Sequence, residues 1–260
     1  MKINRFQHLS IEIENSLATI RLNRFADNSM NVEMLKEITQ AHNEIEIQNN
    51  VKAVLLTSSI EGFFSNGLDL HDLLAADVKG KIEIFKNLYI MCSAIYSSSK
   101  VHVSLLNGHA MAGGAVLAAM SDFRFIINGP YRIGFSESKI GLGLPEVFLN
   151  IIESIIGSQN LKNTVLLGQA YKPAEALKIG LVDEILNSEN AEEKVQKYIL
   201  KTLQIPRQSF QAIKTAMRTK NIRLFQTQMS ATLDWFSMFF NETLDEGLLA
   251  VKEKRRPHFK

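Results

Sequence analysis

The sequence is poor in the features that define several whole classes of protein. A single cysteine, Cys92, among 260 residues excludes an intramolecular disulfide and leaves cysteine-based zinc sites short of ligands. A reducing compartment suits such a chain, and cytoplasmic residence is the expectation. No uninterrupted apolar run approaches the roughly 18 residues of a membrane span. The opening MKINRFQHLSIEIENS lacks the apolar stretch of a signal peptide, and the closing HFK is not a peroxisomal SKL. Neither sign of charge dominates: 29 basic and 27 acidic residues leave a net +2, so nothing electrostatic points to nucleic acid or an anionic membrane as partner. Low-complexity segments and exact repeats are also missing. What remains is a composition of 46% hydrophobic and 22% charged residues, ordinary for a globular chain able to build a large core.

One stretch organises the rest. Residues 107–122, NGHAMAGGAVLAAMSD, open with turn formers, reach the pair Gly113-Gly114, and continue through small apolar residues. The pattern predicts a strand end turning tightly into a buried helix. Adjacent glycines let another molecule approach the backbone, and free amides at a helix start suit an anionic oxygen. A phosphate loop is excluded, because GxxxxGK[ST] needs a lysine and hydroxyl where Gly114 and Ala115 stand. The dinucleotide fingerprint GxGxxG is absent as well. A close helix packing contact is the competing reading of the glycine pair.

Along the chain, residues 8–13 and 17–23 alternate apolar and polar around Glu14-Asn15-Ser16 and read as a β-hairpin. Val32, Leu35, Ile38, Ala41 and Ile45 recur at helical spacing, so 31–47 reads as an amphipathic helix capped by Asn31. A buried strand is expected at 51–57. A second strand-loop-helix junction follows at 63–77, with Ser65-Asn66-Gly67 at its turn. Residues 81–99 read as helix, 101–106 and 123–127 as strands, and the order is β-β-α repeated. Residues 131–145 form a turn-rich loop carrying Glu137; Ser136 is no nucleophile elbow, since GxSxG requires glycine at Ser138. Beyond Glu146 the pattern is mostly helical: 146–156, 159–168, 173–178 with Pro173 in the first turn, 190–204, and a run from about 206 to 254.

Four motifs in this order resemble the crotonase (enoyl-CoA hydratase/isomerase) superfamily. They are FSNGLDL at 64–70, the Gly-Gly stretch, YRIGFSESKIGLGLP at 131–145, and PAEALKIGLVDEIL at 173–186. The resemblance implies an α/β fold, a crotonase spiral of repeated ββα units, divided into a core at 1–195 and a C-terminal helical oligomerisation region at 196–260. It implies a homotrimer or dimer of trimers acting on an acyl-CoA thioester, with CoA as part of the substrate and no separate cofactor or metal. Backbone amides of Leu68 and Gly113 would form the oxyanion hole. Asn66, Gly67, Leu68, Asp69, Leu70, Gly114 and Ser136 would surround the substrate.

Hydratases of this superfamily pair two glutamates. One corresponds to Glu137, placed before Gly141; the other falls on Val116. Hydration needs a group that activates water, and valine has none. A double-bond shift needs only one carboxylate, which removes a proton from C2 and returns it to C4 while the dienolate rests in the oxyanion hole. Val116 would instead line the acyl pocket, exclude water and raise the Glu137 pKa. SNGLDL and YRIGFSESKIG resemble the Δ3,Δ2-enoyl-CoA isomerase branch, in fatty acid β-oxidation. Val101, Phe25, Ala112 and Asn66 depart from the usual residues of the superfamily. The alternatives are hydration with Glu146 as a displaced second carboxylate, other crotonase-type acyl-CoA chemistry, and a non-catalytic acyl-CoA binder.

Other prominent residues have plainer readings. His102 and His109 lack companions for a metal set. Glu146 suits the first turn of a helix. Residues 252–260, KEKRRPHFK, read as a solvated helix end, or as a contact for CoA phosphates. Trp235, Phe236, Phe239 and Phe240 read as core or subunit interface on one helix, with acyl-pocket lining the lesser role.

Overall fold

A computed structural model of the chain describes residues 2–3 and 5–259. Met1, Asn4 and Lys260, at the edges of the N-terminal and C-terminal stretches read above, lie outside the described residues. The hairpin forms as expected: β2 (Leu9–Glu14) pairs antiparallel with β3 (Leu17–Leu22), and β1 (Lys2–Ile3) pairs with β2. In β2 the apolar Leu9, Ile11 and Ile13 are the buried set and glutamates face outward, which is what strand alternation requires. Helix α1 (Val32–Glu46) begins where the Asn31 side chain accepts the Met34 N–H at 2.8 Å, satisfying one orphan donor of the first turn.

Three further units repeat one plan. The first is β4 (Ala53–Ser58), β5 (Gly62–Ser65), α2 (Leu70–Ala75) and α3 (Val78–Tyr96). The second is β6 (Val101–Leu106), β7 (Gly108–Met111) and α4 (Gly113–Ala119). The third is β8 (Phe123–Ile127), β9 (Ile133–Gly134), a 3-10 turn at Glu137–Ile140 and α5 (Glu146–Ile156). In each, the first strand joins one sheet and the second strand another. The larger sheet has the order β1-β2-β3-β4-β6-β8-β11, with β11 at Glu184–Leu186; the smaller is β10-β9-β7-β5, with β10 at Ala170–Tyr171. Strands β3, β4, β6, β8 and β11 run parallel. Both β4 and β6 are buried along their whole length, the usual condition of central parallel strands covered on both faces.

Several expectations need correction. Gly108 is not a turn: it starts β7, pairing with Gly62, where a side chain would strike the backbone of Gly62 and Phe63. Helix α3 starts at Val78, three residues early, because Asp77 caps it through the Gly80 N–H at 2.8 Å. The stretch 159–168 is a short α6 (Ser158–Leu161) followed by a π-helical turn at Lys162–Leu166. Beyond α7 (Pro173–Lys178) and α8 (Ala191–Thr202), the long run is three helices: α9 (Arg207–Thr227), α10 (Met229–Ser237) and α11 (Glu242–Lys252). Asn241 caps α11, accepting from the Thr243 and Leu244 amides at 3.0 and 3.4 Å. Trp235 and Phe236 therefore sit on α10, while Phe239 and Phe240 lie in the turn after it.

The main core lies between these layers, and the C-terminal helices contribute to it: Phe225, Phe236, Leu244 and Leu248 are buried in the same cluster as Phe64, Phe85 and Phe148. An ion pair of 2.6 Å between Lys81 and Asp245 ties the start of α3 to α11. Among the described residues no helix is long and apolar enough to cross a membrane.

Candidate active site

Two loops, each leaving a strand of the smaller sheet, meet backbone to backbone. Gly67, with φ +95°, follows β5, and a Cβ there would lie 3.0 Å from the Gly113 nitrogen. A Cβ on Gly113 would lie 3.4 Å from the Leu68 nitrogen. Gly67 must be glycine for both reasons, conformation and space. Gly114 has another task. Its missing side chain admits the carbonyl of Ser65, so packing governs Gly114, whereas a Cβ on Gly113 would meet its neighbours only at ordinary contact distance, 3.4 Å. The close-packing reading of the glycine pair holds for Gly114.

Among the described residues no hydrogen bond to the rest of the chain engages the Leu68 or Gly113 N–H. Met30 bridges the strand end beside Leu68: its N–H donates to the Gly67 carbonyl at 2.7 Å, and its carbonyl accepts from Asp69 N–H at 3.0 Å. In that parallel register the Leu68 N–H points away from Met30. Gly113 is the first residue of α4, where an amide has no intrahelical acceptor. The residue before it, Ala112, has φ 47° and ψ −121°, the conformation of the first central residue of a type II′ turn, ordinarily glycine. Its N–H donates to Gly134 at 2.8 Å, which holds the turn in place.

Leu68 and Gly113 both line a mostly apolar cavity of about 220 Å³. Asn66, Leu70, Val116 and Ser136 line it together with Phe85, Phe148 and Phe236. Glu137 is the sole ionisable side chain in its wall among the described residues. The 3-10 turn ends at Gly141, φ +76°, and presents Glu137 inward. This carboxylate is 6% exposed, and its Oε2 has no hydrogen-bond partner. Burial pushes the Glu137 pKa up to about 7 from the ordinary 4.5, partly opposed by its own backbone N–H. Such a group is a stronger base than a solvated carboxylate.

The remaining predicted residues are placed as follows. Asp69 does not line the cavity: its carboxylate caps α2 through His71 N–H at 2.8 Å and pairs with Arg24 at 2.8 Å. Gly67 and Gly114 act through backbone approach. Glu146 is exposed in the first turn of α5 and stands outside the cavity wall. His102 is buried and stacked on His42, centroids 4.9 Å apart, and His109 accepts the Arg132 N–H at 3.1 Å. No group of three or more His, Cys, Asp or Glu among the described residues is placed to hold a metal ion. In the C-terminal tail, Arg255 is engaged by Glu246, at 2.6 and 2.8 Å, and by Glu253.

Sequence reasoning missed most of the apolar wall, and it missed Asn28. Its fully buried side-chain amide donates to Ser58 Oγ at 2.7 Å and to the Phe64 carbonyl at 3.0 Å, while the Asn28 backbone carbonyl accepts from Ser65 Oγ at 2.8 Å. It fixes the loop that carries Leu68. A wider groove of about 660 Å³ beside α1 is shallow and charged, lined by Arg5, Glu33, Lys36 and Glu37. There Lys36 pairs with Glu83, and Glu37 accepts two backbone amides, so its charges are already spent on structure.

The chain is matched over residues 12–260 by the family model described as enoyl-CoA hydratase/isomerase. It belongs to the enoyl-CoA hydratase/isomerase family, whose enzymes act on acyl-CoA thioesters, and it has the crotonase fold. Among relatives, mitochondrial enoyl-CoA delta isomerase 1 of Mus musculus is 32% identical over 240 residues, covering 92% of this chain and 83% of the relative. Crotonyl-CoA hydratase of Syntrophomonas wolfei is 24% identical over 261 residues, covering 98% of each. The crystal structure of human mitochondrial delta3-delta2-enoyl-CoA isomerase superposes with a TM-score of 0.92 at 27% identity, covering 95% of this chain and 98% of that one.

Proposed function

We propose that the protein is an acyl-CoA double-bond isomerase that converts a 3-enoyl-CoA to the trans-2-enoyl-CoA, in fatty acid β-oxidation. The observation that carries this reading is Glu137 as the one ionisable side chain among the described residues of the cavity wall, with Val116 in the same wall where the hydratase pattern has its second glutamate. The Leu68 and Gly113 amides polarise the thioester carbonyl, which acidifies the C2 protons. Glu137 Oε2 takes one of them, the negative charge moves to the thioester oxygen between the two amides, and the same carboxylic acid delivers the proton to C4. Electrons of the C2–H bond become the C2–C3 double bond, and those of the C3–C4 double bond take the returning proton. Apolar walls keep water from quenching the dienolate. Hydration would need a second carboxylate, and Glu146 lies outside the cavity wall.

The decisive experiment offers the purified protein 3-enoyl-CoA and 2-enoyl-CoA separately and follows products by chromatography. Isomerisation of the first without hydration of the second is expected; hydration of the second at a comparable rate would overturn the reading.

A trimer, or a dimer of trimers, belongs to the same proposal, as does a division of labour between the spiral core at 1–195 and helices at 196–260. Support comes from apolar side chains left in solvent on the later helices: Leu200 on α8, then Ile213 and Met217 on α9, the last 78% exposed. A partner subunit would cover them. Sedimentation at micromolar concentration should find a trimer or hexamer, and Met217→Glu should weaken it; a parental monomer would rule it out. Cytoplasmic residence is likewise part of the proposal and rests on the lone, buried Cys92.

A further inference from the structure

The loops that carry the Leu68 and Gly113 amides both touch one buried hydroxyl-bearing residue. Strand β5 pairs with β7 through Gly62–Gly108 and Phe63–His109, then slips by one residue, so that Ser65 rather than Phe64 is the partner of Ala110. A bulge of this kind re-aims the chain that follows it. Ser65, just past the slip, is fully buried. Its Oγ donates to the Asn28 backbone carbonyl at 2.8 Å and accepts the Gly67 N–H at 3.2 Å. Its own carbonyl lies in the space left by Gly114, where a Cβ would come within 2.2 Å of it. Leu68 follows Gly67 directly and Gly113 precedes Gly114 directly, so Ser65 holds one amide-bearing loop by a hydrogen bond and the other by backbone contact. The segment behind it is anchored in turn, since the Asn66 N–H donates to the Asp27 carbonyl at 3.1 Å and the Asn66 side chain to the Asp27 carboxylate at 3.0 Å.

We infer that Ser65 is a positioning residue for the reaction: its hydroxyl fixes the spacing of the Leu68 and Gly113 amides, so that both reach a single thioester oxygen. This rests on the acyl-CoA reading above. Two donors act together only when each lies about 2.7 to 3.1 Å from the developing oxyanion. Gly67, at φ +95°, is the most freely rotating residue of its loop, and a glycine needs an external tie to hold one conformation. The Gly67 N–H to Ser65 Oγ bond is that tie. Without the hydroxyl, the buried Gly67 N–H and Asn28 carbonyl each lose a partner, and an unpaired buried group is costly enough to make the loop shift. A shift at Gly67 carries the Leu68 amide with it, and a misplacement on the order of 1 Å can cost about 10²-fold in rate.

The test compares the intact parental protein with Ser65→Ala and Ser65→Cys in two ways. Turnover of 3-enoyl-CoA gives kcat and KM, and infrared difference spectra follow the carbonyl stretch of bound hexanoyl-CoA labelled with ¹³C at the thioester, which is saturated and does not react. Hydrogen bonds from both amides should lower that stretch in the parental protein below its value in water. Ser65→Ala should lower kcat about tenfold to 10²-fold while KM stays within about threefold, and the stretch should move back toward its value in water. Ser65→Cys should fall between the two, because a thiol is a weak donor and a weak acceptor. A merely structural role would lower the melting temperature and leave the kcat of the folded fraction and the carbonyl stretch where they were, and that result overturns the inference. So does a rise in KM alone, or the failure of both variants to fold, which would make Ser65 a joint of the fold. A parental protein that polarises the bound carbonyl without isomerising sinks the isomerase reading alone, and the infrared comparison still decides the role of Ser65; one that leaves the carbonyl unpolarised sinks the oxyanion hole and this inference together.

Discussion

Two carboxylates at the edges of the same core, each with its side chain largely out of solvent, are treated in opposite ways. Asp122, whose side chain is 8% exposed, accepts from Lys214 at 2.7 Å, from Arg218 at 2.8 Å and from the His102 N–H at 2.8 Å. Glu137, 6% exposed, forms no ion pair among the described residues and has an oxygen with no partner. Asp122 closes the Gly-Gly stretch and pins α9 to the start of β6. Glu137 faces a cavity. A buried carboxylate surrounded by donors is a structural joint, whereas one left bare is costly to the fold and useful as a base.

Each carboxylate can be removed separately, and the effects should not overlap. Glu137→Gln keeps the shape and loses the base, so turnover should fall about 10²-fold to 10⁴-fold, with acyl-CoA affinity retained. Parental turnover in this variant would end the mechanism. Asp122→Asn should do the reverse. It leaves Lys214 and Arg218 buried without their countercharge and should lower unfolding free energy by about 3–5 kcal/mol, read by urea denaturation, while the folded fraction keeps its turnover number. A stability change under roughly 1 kcal/mol would mean that the ion pairs contribute no more than surface pairs do.

The contrast also has a pH signature. Because the folded-state pKa of Glu137 is raised from 4.5 to about 7, ionisation costs the folded protein more than the unfolded chain. Its contribution to stability is therefore fully present below about pH 4.5 and is lost as pH rises through about 7, on the order of 3 kcal/mol in total. Activity runs the other way, since only the carboxylate is a base: kcat/KM should rise with a midpoint near pH 7. Glu137→Gln should remove this stability slope from the parental-minus-variant difference. An activity midpoint near pH 4.5 would show the carboxylate to be well solvated.

The smallest effect is expected beside Asp122. His102 is buried with neither ring nitrogen partnered, and burial, helped by His42, Lys214 and Arg218, holds its pKa well below 6.5; His42 is brought down to about 4 by burial. Depressed histidine pKa values give stability that is present above about pH 6.5 and lost on acidification. His102→Phe should keep the ring volume and flatten that acid limb by about 1–2 kcal/mol. An unchanged limb in thermal melts between pH 7 and pH 4 would assign the acid sensitivity elsewhere.

Much of the fold was legible in the chain because its signals are local. Alternation found the first hairpin, the Asn31 cap found the start of α1, and Glu146–Ile156 and Pro173–Lys178 are helices with the limits that periodicity and Pro173 indicate. Strands β7, β10 and β11 were not legible. They are two to four residues long and exist because a neighbouring strand offers its edge, as Gly62 does to Gly108 and Phe125 to Glu184. The break of the last helical run at Asn241 carried a readable cap signal that a continuous apolar pattern obscured.

The candidate site divides along the same line. By itself the sequence determined the family, through motifs in a fixed order, and it shows a glutamate at 137 and a valine at 116. Only the tertiary structure decided that Glu137 stands alone among ionisable groups of the cavity wall, that Asp69 is spent on Arg24 and the α2 cap, and that Phe85, Phe148 and Phe236 line one cavity. A cap or an alternation acts over a few residues, so it is written locally. Desolvation and cavity volume are properties of what surrounds a group, and here the surroundings come from helices more than 150 residues apart in the chain, Leu70–Ala75 and Glu242–Lys252.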